Sequence, residues 1–119
     1  TSVAEMERFA SECSRSHVGS VFDIDVSAMF CVAFRREVFA RAGCLDERYG
    51  MGMFEDVDYS ETVRDLGYRT VCCEDVFVHH YGMASFSKQD QEEYDRLFNR
   101  NRDYFEGKWK HRWEPHKAR

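Results

Sequence analysis

Three acids in five residues, Phe54-Glu55-Asp56-Val57-Asp58, follow a loop that carries Gly50 and Gly52 and stand where a helix is expected to begin. Carboxylates in a first helical turn are stabilised by free backbone N–H groups and by the positive end of the helix dipole, so such a cluster can be a cap and nothing more. Spacing gives Asp56 a second reading. Asp56, Tyr59, Val63 and Leu66 stand at i, i+3, i+7 and i+10 and share one helical stripe, so the face expected to be buried begins with a carboxylate, with Glu55 and Asp58 off it. A carboxylate at the rim of a core beside a glycine-bearing loop is suited to general-base work, the removal of a proton from a bound hydroxyl.

The second group that could do chemistry is Val76-Phe77-Val78-His79-His80-Tyr81. On a strand, successive side chains point to opposite faces, so Val76, Val78 and His80 share one face and Phe77, His79 and Tyr81 the other. One of the two histidines can enter a given site, not both. The adjacent Cys72 and Cys73 diverge for the same reason, and a structural zinc site wants four convergent ligands. A small metal-binding protein built on Cys72, Cys73, His79 and His80 is therefore disfavoured.

The elements that must position these groups are legible in the periodicity. Val3, Met6, Ala10 and Cys13 fall at helical spacing and predict a first amphipathic helix over 3–13. The β-branched and apolar run 21–34 predicts a buried strand in its second half, and 35–42 a short helix stopped by Gly43. The acidic helix is expected over 54–66, ended by Gly67. Short strands are expected in 68–73 and 76–81. A long helix over 88–109 would carry Tyr94, Leu97, Phe98, Asn101, Tyr104, Phe105, Lys108 and Trp109 on one face. Residues 110–119 read as a basic, flexible tail.

Composition narrows the function classes. The chain has 119 residues, 17 basic and 22 acidic, for a net charge of −5, which argues against a nucleic-acid binder. Leu, Ile, Val and Phe make up about a fifth of it, near the level of disordered chains, but 10 Phe, 6 Tyr and 2 Trp supply the missing apolar area. No apolar run reaches the roughly 18 residues of a membrane helix, and no signal peptide is evident. Five cysteines without a C-x-x-C pair suit reduced thiols and a cytoplasmic setting, with peripheral attachment to a membrane left open. A chain that starts at Thr1 is expected to be a processed product or a segment of something longer.

The order of motifs is familiar. Phe34-Arg35-Arg36-Glu37-Val38-Phe39, Gly43-Cys44-Leu45-Asp46-Glu47-Arg48-Tyr49-Gly50, Phe54-Glu55-Asp56-Val57-Asp58-Tyr59, Arg64, Gly67-Tyr68-Arg69 and Val76-Phe77-Val78-His79-His80-Tyr81-Gly82 follow one another at intervals that resemble the C-terminal half of family 2 glycosyltransferases of the GT-A fold. The resemblance covers about 25–109. It implies an α/β architecture, α+β within this segment, in which 1–109 form the acceptor-binding half of a Rossmann-like domain: short strands packed by amphipathic helices, with a long C-terminal helix.

The activity it implies is inverting transfer of a sugar from a nucleotide diphosphate donor to the hydroxyl of a glycan, lipid-linked or protein acceptor, as in polysaccharide biosynthesis. Asp56 then looks like the base, Glu55 a neighbour that binds acceptor hydroxyls or orients the loop, and Asp58 a more exposed cap on the acceptor side. A histidine at the end of the following strand, His80 with His79 as the alternative, would complete a Mn²⁺ or Mg²⁺ site. Ser85, Ser87 and Lys88 would lie over the donor diphosphate. The family's own Asp-x-Asp metal motif has no counterpart, because Asp23-Ile24-Asp25 precedes the acceptor-side strand and Asp56-Val57-Asp58 is the acidic helix itself. Half of an active site is thus expected, inactive alone. The competing reading is a non-enzymatic interaction module that self-associates as a homodimer through its exposed apolar seam.

Overall fold

Ser2 opens the first helix, α1 (Val3–Ser16), with a reciprocal capping box: its hydroxyl accepts the Glu5 amide at 3.2 Å while the Glu5 carboxylate accepts the Ser2 amide at 2.7 Å. The computed structural model describes residues 2–81 and 91–115. After α1 come β1 (Val21–Asp23), α2 (Arg36–Ala42), a 3₁₀ turn (Glu47–Tyr49), α3 (Glu55–Asp65), β2 (Val71–Cys73) and α4 (Gln91–Trp109). The glycines expected to stop helices do so: Gly43 follows α2 at φ +79° and Gly67 follows α3 at φ +86°, conformations that side chains with a Cβ seldom adopt. The result is a mixed helix and strand fold with one two-stranded sheet among the described residues.

Strand positions differ from expectation in two places. The sheet pairs β1 with β2 antiparallel, Val21 opposite Cys73, Phe22 opposite Cys72 and Asp23 opposite Val71. The strand in 21–34 is therefore at its start, not in its second half. One more ladder bond, Ile24 N–H to Thr70 O at 3.0 Å, follows before Arg64 draws the chain aside by donating to Asp25 O at 2.6 Å. Residues 76–81 form no strand either. A run of β-formers becomes a strand only where a neighbour meets its N–H and C=O groups, and none of the described residues does so here.

The core is two clusters, and α3 joins them. Val38 of α2 packs with Tyr59 and Val63, flanked by Met29, Ala42 and Tyr68. Tyr49, Phe54 and Phe105 form the second cluster, flanked by Met53, Val57, Phe98, Tyr104, Trp109 and Trp113. Trp113 belongs to the stretch read as a tail, yet its half-buried ring packs on Phe54 with ring centroids 5.1 Å apart. No described helix is long and apolar enough to cross a membrane.

Candidate functional site

The entry to α3 is strained. Met53 and Phe54 both have positive φ, +67° and +74°, a left-handed conformation that costs a residue with a side chain roughly 1–2 kcal/mol. Burial of the Phe54 ring, 4 % exposed against Phe98 and Trp113, helps to hold it. The first helical bond of α3, Asp58 N–H to Phe54 O, measures 2.9 Å. Glu55 and Asp56 are the first two residues past this kink, and backbone strain of this kind collects where side chains must be aimed.

From that entry the three acids go three ways. Asp58 is 4 % exposed; Lys108 Nζ lies 2.8 Å from its carboxylate and Trp109 Nε1 donates to it at 2.7 Å. The expectation of an exposed cap is thus corrected. The end of α4 lies over this side of α3, so the carboxylate opposite Lys108 is enclosed by packing that a single-helix wheel does not contain. Glu55 is half-buried, and its Oε2 is enclosed without a hydrogen-bond partner among the described residues. Burial, aided by the neighbouring charge of Asp56, pushes its carboxyl above the usual range. Asp56 is also half-buried, accepts the Val57 amide at 2.8 Å, and enters no ion pair among the described residues.

Lys108 ties this region to a second carboxylate. It reaches Asp46 at 3.1 Å, and Asp46 also accepts from Arg48 Nε and Nη2, both at 2.9 Å, and from the Tyr104 hydroxyl at 2.8 Å. The Arg48 guanidinium holds the Asp46 carboxyl well below the usual carboxylate range. Burial works against the charge on Lys108, but hydrogen bonds to Asp58 and Asp46 outweigh it and raise its pKa. Asp46 and Lys108 stand in the sequence as a turn acid and a helix lysine; only the fold shows them joined, 62 positions apart.

The two histidines lie apart from this network's polar bonds. His80 stacks on Phe30, ring centroids 4.4 Å apart at 20°, and His79 meets the Tyr81 ring edge-on at 4.5 Å. Both are exposed. With 76–81 outside any ladder, the alternation that separated His80 from His79 has no strand to act on. No group of three or more His, Cys, Asp or Glu side chains among the described residues could hold a metal ion, so these residues do not fit a Mn²⁺ or Mg²⁺ site by themselves. Asp23 lies on β1 and pairs with Arg69 at 2.9 Å. Ser85, Ser87 and Lys88 lie outside the described residues.

Chemically, the site offers one carboxylate that enters no ion pair among the described residues, a carboxyl beside it that burial raises, and a third locked to Lys108 and Trp109. The first is open to a bound hydroxyl, and the third is structural.

Among known proteins, no family model and no solved structure matches the chain. An uncharacterized protein of Sinorhizobium fredii (strain NBRC 101917 / NGR234), y4gI, is 32% identical to it over 80 residues. That match covers 67% of this chain and 9% of the relative, so the chain corresponds to a small part of a much longer protein.

Proposed function

We propose that the chain is the acceptor-side portion of an inverting, GT-A-type glycosyltransferase that moves a sugar from a nucleotide diphosphate to an acceptor hydroxyl, with Asp56 as the base. The observation that carries the reading is the sorting of the acids: Asp56 is half-buried past the strained entry to α3 and enters no ion pair among the described residues, while Asp58 is bound by Lys108 and Trp109. In the reaction the acceptor hydroxyl gives its proton to the Asp56 carboxylate as its oxygen bonds to the anomeric carbon. The bond from that carbon to the diphosphate breaks on the opposite side, and the electron pair leaves with the diphosphate. Configuration inverts, and no covalent enzyme intermediate forms. One carboxylate within about 3 Å of the hydroxyl suffices. Any divalent ion would draw further ligands from elsewhere in a longer chain, as would the nucleotide. Glu55, with its raised carboxyl, suits a hydrogen bond to an acceptor hydroxyl. Five free cysteines favour a reducing, cytoplasmic setting.

The test is Asp56→Asn in the complete protein. Asparagine keeps the shape but takes no proton, so kcat should fall on the order of 10²–10⁴-fold with donor KM nearly unchanged. Asp65→Asn, at an exposed position of the same helix, should retain full activity. An Asp56→Asn protein with wild-type kcat would remove Asp56 from the reaction.

A second reading, a self-associating module, is favoured by one feature. Phe30, Val32, Phe34, Val76, Val78 and Tyr81 are all exposed on the two stretches, 24–35 and 76–81, that run outside the sheet.

A further inference from the structure

Asn101 is a polar residue 1 % exposed in an otherwise aromatic cluster, and its amide is the meeting point of the loop before α3. Nδ2 donates to three carbonyls: Tyr49 O at 2.9 Å, Gly52 O at 2.8 Å and Met53 O at 2.9 Å. Two hydrogens serve three acceptors, so one is shared. Oδ1 accepts from the Arg100 guanidinium, Nε and Nη2 both at 3.1 Å. The arrangement tolerates no near-isostere. An aspartate would set a carboxylate against three carbonyl oxygens, and an apolar residue would take this donor from the part-buried Gly52 and Met53 carbonyls and leave Tyr49 O with Arg100 Nη2 alone, at 3.2 Å.

A buried amide needs partners, but it does not need these three. They belong to the 3₁₀ turn, to Gly52 at φ +124° and to the first of two left-handed residues that carry a Cβ. Gly52 takes its conformation freely; Met53 and Phe54 must be held in theirs. We infer that Asn101 is a positioning residue, which through its bonds to the 49–53 carbonyls keeps Met53 and Phe54 left-handed and so aims Glu55 and Asp56. What those two carboxylates do rests on the transfer reading above; the clamp itself does not. Releasing it turns the chain about the bonds that immediately precede α3, and the two acids on the first turn swing with it.

Two amides separate a local from a global effect. Asp58 N–H reports the first turn of α3, and Ser27 N–H, which donates to the Ser60 hydroxyl at 3.1 Å in a buried position, reports the middle of the helix. In Asn101→Ala, hydrogen exchange at Asp58 should speed at least about tenfold more than at Ser27, and adding Met53→Gly, which takes positive φ without cost, should recover most of the difference. In the complete protein Asn101→Ala should lower kcat about tenfold or more with donor KM within about twofold, again recovered by Met53→Gly. If Asn101→Ala does not accumulate folded, Met53→Val strains the same φ with Asn101 intact and should give the same pattern. Equal acceleration at both amides, no recovery with glycine, or a full kcat despite fast local exchange would overturn the positioning role. A fully active Asp56→Asn protein would overturn the transfer reading instead, and the exchange ratio would then uphold or overturn the clamp by itself.

Discussion

At the scale of single residues the three neighbouring acids answer to three different environments, and their variants should separate accordingly. Asp58→Asn removes a buried charge that Lys108 and Trp109 bind and leaves Lys108 with Asp46 alone, so it should cost about 1–3 kcal/mol in denaturant unfolding; an unchanged midpoint would mean that the Asp58–Lys108 pair contributes nothing. Glu55 has the opposite sign. Its carboxyl is raised by burial, so the stability it contributes is fully present below its ordinary value of 4.5 and is lost as pH rises through the higher folded value. Glu55→Gln should therefore melt higher than the wild type at pH 7 and lose that advantage by about pH 4. Asp46 runs the other way: lowered chiefly by Arg48, it contributes stability above its ordinary value of 3.8 that is lost only as pH falls through the depressed one. Asp46→Asn should accordingly melt lower at pH 7, and a melting temperature equal to wild type there would contradict the Arg48–Asp46–Lys108 network.

Helices carry most of what the sequence makes legible. The 3.6-residue period and the glycines at 43 and 67 place α2 and α3 within a residue or so, and the face of α4 expected to be inward does hold the buried pair Asn101 and Phe105. Strands are less legible, because 76–81 has the composition of a strand and no partner among the described residues to complete a ladder. A single stripe also describes α3 only in part. That helix has neighbours on two sides, Val38 of α2 and the end of α4, so its buried surface spans Asp58, Tyr59, Ser60 and Val63, wider than one stripe. No local pattern pairs Asp58 with Lys108 across 50 positions. If α4 is what holds the start of α3, Phe105→Ala, which empties a position 1 % exposed, should cost roughly 3–5 kcal/mol. A shift in melting temperature below about a degree would mean that α4 packs only loosely.

As a whole molecule the chain is more extended than its length requires. Its radius of gyration is 16.5 Å, against about 13–14 Å for a compact domain of this size. The excess fits the two stretches that run outside the sheet with Phe30, Val32, Val76 and Tyr81 exposed. Covered in a longer chain, these side chains would be core; uncovered, they should drive self-association, and the 119 residues should scatter light as a dimer or larger at tens of micromolar. A clean monomer at that concentration would contradict the module reading. The most direct measurement of the central claim, that these residues carry the acceptor-side half of a sugar-transfer site, is nucleotide-sugar turnover by the chain alone and by the complete protein side by side. The account predicts no transfer or donor hydrolysis above a heat-killed control for the 119 residues, and transfer with inversion at the anomeric carbon, dependent on Asp56, for the complete protein; saturable turnover by the chain alone, or a complete protein that transfers no sugar, would contradict it.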